Sequence, residues 1–425
     1  MMANYQSIIG FGVLLYLIIA LIMRSKKPHI PIWSIMAFSA FIVTITGLVS
    51  IEEISYLEDL NIILYLIGMF SIVSLAEQSG LLTSLAYLFM SFIRSRHALI
   101  YASSLMFGLM SAFATNDAVA LMGPPIAYTL AKATGINLTP MFLLLAFSLT
   151  IGSTMTPIGN PQNVLIATRS GMRSPFIFFV ARLAVPTIIN LLLTARFIIW
   201  FFKIPEEKAF ISTKSSEAIR NKNDAMLAAI GLLTTIVALV VNDILDLLNL
   251  PHITHRGFIP FIIAASIYMF ASNPRTVLAA VDWGTIVLFM SMFITMNGVW
   301  RSGAIQPALI AIQPYKSSPP ISTLSISLTA ILLSQALSNV PLTNLYINYM
   351  KSIGYSWKDT ADWLTLACSS TIAGNLTLLG AASNIIVLEV LESKYNTTLT
   401  FKEFTKVGVL VTIINMAVYM PFLLF

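Results

Sequence analysis

The chain has 425 residues, of which 57% are hydrophobic and only 10% charged, with a formal net charge of +6. Soluble domains carry about 25% charged residues, and a mean hydropathy of +0.85 spreads the apolar excess over the whole length. That excludes a soluble enzyme, a nucleic-acid binder and a disordered scaffold, and leaves room for roughly ten to fourteen membrane crossings.

The first apolar segment, 7–23, lacks a preceding positive charge and is followed by Arg24, Lys26 and Lys27. It reads as a first transmembrane helix rather than a cleaved signal. Spanning segments follow at 31–50 and 61–78. The next stretch, 98–131, is interrupted at Thr115-Asn116-Asp117. Its halves, about 15 residues each, are too short to cross the hydrocarbon, which predicts a re-entrant hairpin. A helix broken by glycine and proline, 139–170, and a span at 176–202 complete a first unit, 1–202. The hydrophilic stretch 203–224 holds nine charged residues and reads as a cytoplasmic linker.

Spans resume at 225–248, 257–272 and 284–300. A second interrupted stretch, 321–350, has Ser338-Asn339 at its middle; a second broken helix, 360–392, and a last span, 404–425, complete a unit 225–425. A shift of 223 residues carries Asp59 to Asp282, Gly80 to Gly303 and Asn116 to Asn339. A shift of 221 carries Thr156 to Thr377, Gly159 to Gly380 and Asn163 to Asn384. With five spans and one hairpin in each unit, the second must lie upside down relative to the first. The predicted fold is an all-α polytopic membrane protein of about ten transmembrane helices plus two re-entrant hairpins in two inverted repeats, an organisation typical of secondary transporters. Placing both termini outside puts most Lys and Arg in cytoplasmic loops, with Arg169 and Arg173 as exceptions.

Chemistry concentrates in four places. In TPIGNPQN, Thr156 to Asn163, Pro157 and Pro161 remove backbone donors while Thr156, Gly159, Asn160, Gln162 and Asn163 crowd together. Such a segment either unwinds into an ion or solute site or merely repairs a kink. The second copy, with Asn375, Thr377, Gly380, Ser383 and Asn384, has no proline between Ser370 and Glu389, which favours a paired site. The hairpin tips, Thr115-Asn116-Asp117 and Ser338-Asn339, are good helix N-caps. Helix N-termini facing a dry cavity would attract an anion without any lysine. Asp117, an ionisable group inside a membrane segment, is the candidate for ion coupling, whereas Glu77, Glu389, Asp243 and Asp246 lie near predicted boundaries. Histidines 29, 97, 252 and 255 fall in loops, so no metal cluster within the membrane is expected.

SAFATNDAVALMGPPI, residues 111–126, is similar to the Asn-Asp hairpin of the arsenite permeases, and TPIGNPQN resembles the broken helix of the wider anion permeases. Over about residues 30–425 the chain resembles the ion transporter superfamily, which includes arsenite-efflux permeases, citrate and dicarboxylate symporters and some sodium/proton antiporters. The tips differ from the Ser-Asn-Thr of the dicarboxylate symporters, and TPIGNPQN differs from the arsenite permeases. The resemblance implies a scaffold and a moving transport domain, a homodimer in a cell membrane, and substrate and ion roles for Asn116, Asn163, Asn339 and Asn384. A small anion or neutral oxyacid coupled to H+ or Na+ is the expected cargo, with Na+ near Asn116, Asp117 and Asn163; no cofactor and no nucleic acid is expected. The alternative is a sodium/proton antiporter in which no anion moves.

Overall fold

The computed structural model describes residues 2–26, 30–57, 59–91, 93–208, 215–313, 315–378, 380–395 and 399–424. Lys27, His29, Glu58 and the middle of the expected linker, 209–214, lie outside the described residues. Twenty α-helices are described. The first ten are α1 (Met2–Lys26), α2 (Ile32–Ile45), α3 (Ile51–Leu57), α4 (Leu60–Gln78), α5 (Leu81–Met90), α6 (Arg96–Ala114), α7 (Asn116–Thr134), α8 (Leu138–Ser153), α9 (Pro161–Arg169) and α10 (Pro175–Phe201). They are followed by α11 (Lys222–Leu247), α12 (Phe258–Tyr268), α13 (Pro274–Ala279), α14 (Trp283–Arg301), α15 (Gln306–Ile312), α16 (Ile321–Leu337), α17 (Asn339–Ser352), α18 (Thr360–Ile372), α19 (Ala382–Tyr395) and α20 (Phe401–Leu423). The fold is that of an all-helical polytopic membrane protein. Among the described residues α4, α6, α10, α11, α14 and α20 are long and apolar enough to cross a bilayer unaided.

Several boundaries differ from the sequence reading. The first hairpin's halves are 19 residues each and the second's are 17 and 14; the first pair is longer because Ser95 and Gly135 set the ends beyond the apolar run. Since α6 by itself is long and apolar enough to span, the shortness that suggested a re-entrant hairpin holds only for the second. Residues 222–224, assigned to the linker, form the first turn of α11, where the Asn221 side chain accepts from Asn223 N and Asp224 N. The expected spans 31–50 and 257–272 contain helices of only 14 and 11 residues, each followed by a short helix, α3 or α13. These short helices, with α5 and α15, were not expected: at six to ten residues they carry too few turns for a helical period to register.

The elements recur in order. Asp59 caps α4 and Asp282 caps α14. Both hairpins turn at a hydroxyl residue with positive φ, Thr115 at φ 70°, ψ 147° and Ser338 at φ 68°, ψ 156°. This region suits glycine and costs other residues about 1–3 kcal/mol, so the surrounding packing must impose it. Contacts between the halves are reciprocal: α2 packs on α14 and α12 on α4, while α7 packs on α19 and α17 on α9. Helices α10 and α20 pack on one another. There Asn415 Nδ2 donates to Asn190 Oδ1 at 3.0 Å and Asn190 Nδ2 to the Asn415 carbonyl at 3.2 Å, with both residues fully buried. One turn away, Thr187 Oγ1 and Tyr419 OH lie 2.7 Å apart.

Helix α8 is the innermost element, with every residue from Pro140 to Ser153 buried. Its hydroxyls are matched to neighbours: Ser148 Oγ is 2.8 Å from Ser104 Oγ, and Ser111 Oγ donates to the Leu149 carbonyl at 2.6 Å. At Gly152 the backbones of α6 and α8 touch, since a Cβ there would lie 2.0 Å from the Gly108 carbonyl oxygen. Asp243 and Asp246 do structural work at the end of α11. Asp243 Oδ2 accepts from Phe176 N at 2.7 Å and Ile177 N at 3.2 Å, at the start of α10. Arg256 bonds both carboxylates, at 3.3 and 2.9 Å, and Arg173 bonds Asp246 at 3.1 Å.

Candidate functional site

The first break lies between α8 and α9. Pro157 and Pro161 lack the donors a helix would need there, so the backbone turns away after Ser153 and restarts at Pro161. The freed carbonyls are taken by side chains of the motif itself. Asn163 Nδ2 donates to the carbonyls of Thr156 (2.9 Å), Ser153 (3.1 Å) and Thr154 (3.4 Å). Asn160 caps α9 through Asn163 N at 2.9 Å, while its Nδ2 reaches the Ser153 carbonyl and Thr371 Oγ1, both at 3.1 Å. Thr156 Oγ1 donates to the Ala112 carbonyl. Gly159 is needed because a Cβ would sit 2.3 Å from the Ser153 oxygen.

The second break, after α18, repeats this economy without proline. A 3-10 turn, Ala373–Asn375, ends the helix. Asn384 Nδ2 donates to the carbonyls of Gly374 (2.7 Å) and Thr377 (3.4 Å), and a Cβ on Gly380 would lie 2.7 Å from the Ala373 oxygen. Gln335 takes the place that the Ala112 carbonyl has in the first half, accepting from Thr377 Oγ1 at 2.8 Å and donating to Ala373 O at 2.9 Å. Asn375 Nδ2 turns away toward Asn415 Oδ1, at 3.3 Å.

The hairpin tips meet these breaks. The amide of Asn116 donates to the Gly159 carbonyl at 2.9 Å. The starts of four helices, α7, α17, α9 and α19, thereby surround one cavity of about 50 Å³. It is lined by Asn116, Asp117, Pro161 and Gln162 from the first half and by Ser338, Asn339, Ala381 and Ala382 from the second, with Ile32, Thr285, Leu288 and Phe289 closing one wall. Each helix start carries about half a positive charge, even where caps and the Gly159 carbonyl take first-turn amides of α7 and α9, so four of them make the cavity attractive to negative charge. Asp117 is the one ionisable side chain in this lining. The buried Asn116 Oδ1 and Asn339 Oδ1 have no protein partner. Such acceptors are costly to bury unmatched and call for a hydroxyl donor or a cation.

Of the fifteen residues picked from the sequence, Asn116, Asp117, Gln162, Ser338 and Asn339 line this cavity. Thr115 lies just behind it, in a second cavity of about 60 Å³ that also touches Asp117, Glu77 and Asp282. Thr156, Gly159, Asn160, Asn163, Asn375, Thr377, Gly380, Ser383 and Asn384 lie outside the lining and hold its walls, although Asn384 Oδ1 and Ser383 Oγ are also buried without partners. Sequence reasoning missed Thr371, which joins the two breaks by accepting from Asn160 and from Gln162 Nε2 at 3.3 Å. It also missed Gln335 and the apolar wall of α14. Thr371 stands in the same hydroxyl run as Ser370, a signal available in the sequence.

A family model described as a citrate transporter matches residues 17–373. The inner membrane protein YbiR of Escherichia coli is 30% identical over 332 residues, covering 78% of this chain and 80% of that protein. A 46 kDa membrane protein of Mycobacterium leprae is 25% identical over 396 residues, covering 89% and 90%. A transporter named arsB from Dictyostelium discoideum is 23% identical over 482 residues, covering 88% and 84%. Among solved structures, the YdaH transporter of Alcanivorax borkumensis superposes with a TM-score of 0.54 at 15% identity, covering 85% and 84%, a likeness of fold. The chain belongs to the citrate transporter family, and it is a membrane transporter rather than an enzyme.

Proposed function

We propose that this member of the citrate transporter family is a secondary active transporter of a small anion or weakly charged oxyacid, arsenite-like or carboxylate, driven by H+ or Na+. The observation that carries the reading is the cavity where four helix starts meet two unpartnered amide oxygens and one carboxylate. Helix starts stabilise the anionic part of a solute, and the Asn116 and Asn339 oxygens accept from its hydroxyls or ligate a cation. A cavity of about 50 Å³ suits a few waters or a small oxyacid; a larger carboxylate requires it to open.

In this reading residues 1–202 and 222–425 are inverted repeats joined by a cytoplasmic linker, 203–221, since α11 starts at Lys222. Each contributes a re-entrant hairpin and a broken helix to a body that moves as an elevator. The chain sits as a homodimer in the cell membrane with both termini outside. The reciprocal contacts of α2 with α14 and α12 with α4 support the repeat, and the position of Asp117 at a hairpin tip supports its role in coupling. Neutralising that carboxylate, by a proton or by sodium, precedes movement of the loaded site.

A sodium/proton antiporter is the second reading, favoured by the unpartnered oxygens beside Asp117. Reconstituted protein should be given radiolabelled arsenite, citrate and sodium with and without a pH gradient. Gradient-dependent movement of arsenite or citrate is expected; sodium exchange for protons with neither solute moving would replace the first reading by the second.

A further inference from the structure

The two aspartate caps related by the 223-residue shift, Asp59 and Asp282, have different surroundings. Asp282 is exposed, its oxygens accept only from Thr285, through N at 3.0 Å and Oγ1 at 2.6 Å, and it has no basic partner among the described residues. It lines the second cavity together with Asp117. Asp59 is instead covered: Arg169 Nε donates to its Oδ2 at 3.1 Å, with both side chains about three-quarters buried, at 21% and 25% exposure. The same guanidinium donates through Nη1 to the fully buried Asn344 Oδ1 at 2.6 Å and lies 4.2 Å from the centre of the Phe293 ring.

These four residues form one cluster set back from the cavity, joined through the Arg169 guanidinium. Arg169 lies eight residues along α9 from Pro161, about 12 Å from the cavity, and Asn344 five residues along α17 from Asn339, about 7 Å. Phe293 is one turn beyond the lining residue Phe289. Helices α9 and α17 start at the cavity's polar wall, α14 forms part of the facing wall, and α4 packs against both α9 and α14. The arginine therefore ties α9 and α17, which start at the cavity, to α4 and α14. The position in the second half that corresponds to Arg169 under the 221-residue shift is Val390, which cannot make the pair.

We propose that Arg169 is a positioning residue that latches the site shut toward the Asp59 end, and that the Asp282 end has no such latch, so that release of one ion pair opens only one of the two access routes. The inference rests on the alternating-access reading. It also accounts for a positive charge on the side where the loop pattern disfavours one: the charge is spent within the protein.

A cysteine at Leu288, in a Cys368→Ala background, reports access from each face when an impermeant maleimide is applied to right-side-out and inside-out vesicles. The parent should label mainly from the face at the Asp282 end, and preferential labelling from the Asp59 end would overturn the latch. Arg169→Ala should raise labelling from the other face roughly tenfold, the ratio that about 1.4 kcal/mol gives. Asp59→Asn, which keeps a capping side chain and removes the ion pair, should do the same, while Arg169→Lys should retain most of the closure. A face ratio unchanged in both Arg169→Ala and Asp59→Asn, or equal labelling of the parent from both faces, overturns the latch. Because labelling needs no transported solute, failure to find a substrate leaves this result standing and counts only against the transport reading.

Discussion

Asn163→Ala removes an amide that meets the unwound backbone of the first break through Nδ2 and accepts from Thr371 Oγ1 at 3.4 Å through Oδ1. In the protein its Nδ2 serves three carbonyls, the best at 2.9 Å on Thr156 and 3.1 Å on Ser153. After truncation the Ser153 oxygen keeps Asn160 Nδ2 at 3.1 Å, whereas the Thr156 oxygen keeps only Gly159 N at 3.4 Å. An acceptor left unmatched in a buried site costs about 1–3 kcal/mol, and the vacated side-chain volume adds about 1 kcal/mol. The loss is about 2–4 kcal/mol, concentrated where Gly159 O receives the amide of the hairpin tip. The variant should insert and fold with an unfolding midpoint lowered by a few degrees, and transport should be lost because the tip and the break no longer share one geometry. Midpoint and uptake are measured on the same purified preparation. A variant with an unchanged midpoint and full transport would show that the amide does not hold the break, and Asn384→Ala should then be equally silent.

Gln162→Ala, on the same turn but lining the cavity with a single 3.3 Å bond, should leave the midpoint within about 1 kcal/mol of the parent while raising KM for solute; the reverse pattern would exchange its role with that of Asn163. Asp117→Asn is nearly isosteric and leaves the cap of α7, Thr115 Oγ1 accepting from Ala118 N, untouched, so it should express normally and exchange solute, yet lose acceleration by a proton or sodium gradient; unchanged pH and sodium dependence would move coupling elsewhere. Gly152→Ala would place a methyl 2.0 Å from the Gly108 oxygen and should cost at least about 1–3 kcal/mol by overpacking. Gly12→Ala, with nothing within 4 Å, should be neutral or slightly stabilising, and a similar loss at both positions would refute the contact.

The breaks and tips were legible because a membrane segment has few reasons to hold Thr115-Asn116-Asp117 or TPIGNPQN, and polar residues there stand out against apolar neighbours. What each polar residue faces was not legible. Helical periodicity assigns directions only while the helix continues, and between Ser153 and Pro161 it does not, so Asn163 and Gln162 looked equivalent although one meets backbone and the other the cavity. The pairing of Asp59 with Arg169 spans 110 residues, and no local pattern announces it; Arg169 registered only as a charge on the unexpected side. Helices such as α5 and α15 escaped because, at ten and seven residues, they carry too few turns for a stripe to register.

The buried pair of Asn190 and Asn415 constrains which motions are open to the molecule. Between two helices in hydrocarbon, sliding changes little apolar contact, because lipid and leucine are nearly equivalent surroundings. An amide cannot slide so freely, since each ångström of travel strips it of a partner that no water replaces. Reciprocal bonds at 3.0 and 3.2 Å, backed by Thr187 and Tyr419 a turn away, thus act as a dowel through α10 and α20. The dowel resists shear between α10 and α20 along this seam. In the elevator reading the broken helices then travel together, and the displacement that exposes the site on the other side falls where α9 and α17 meet α4 and α14, at the contacts of Arg169 with Asp59 and Phe293.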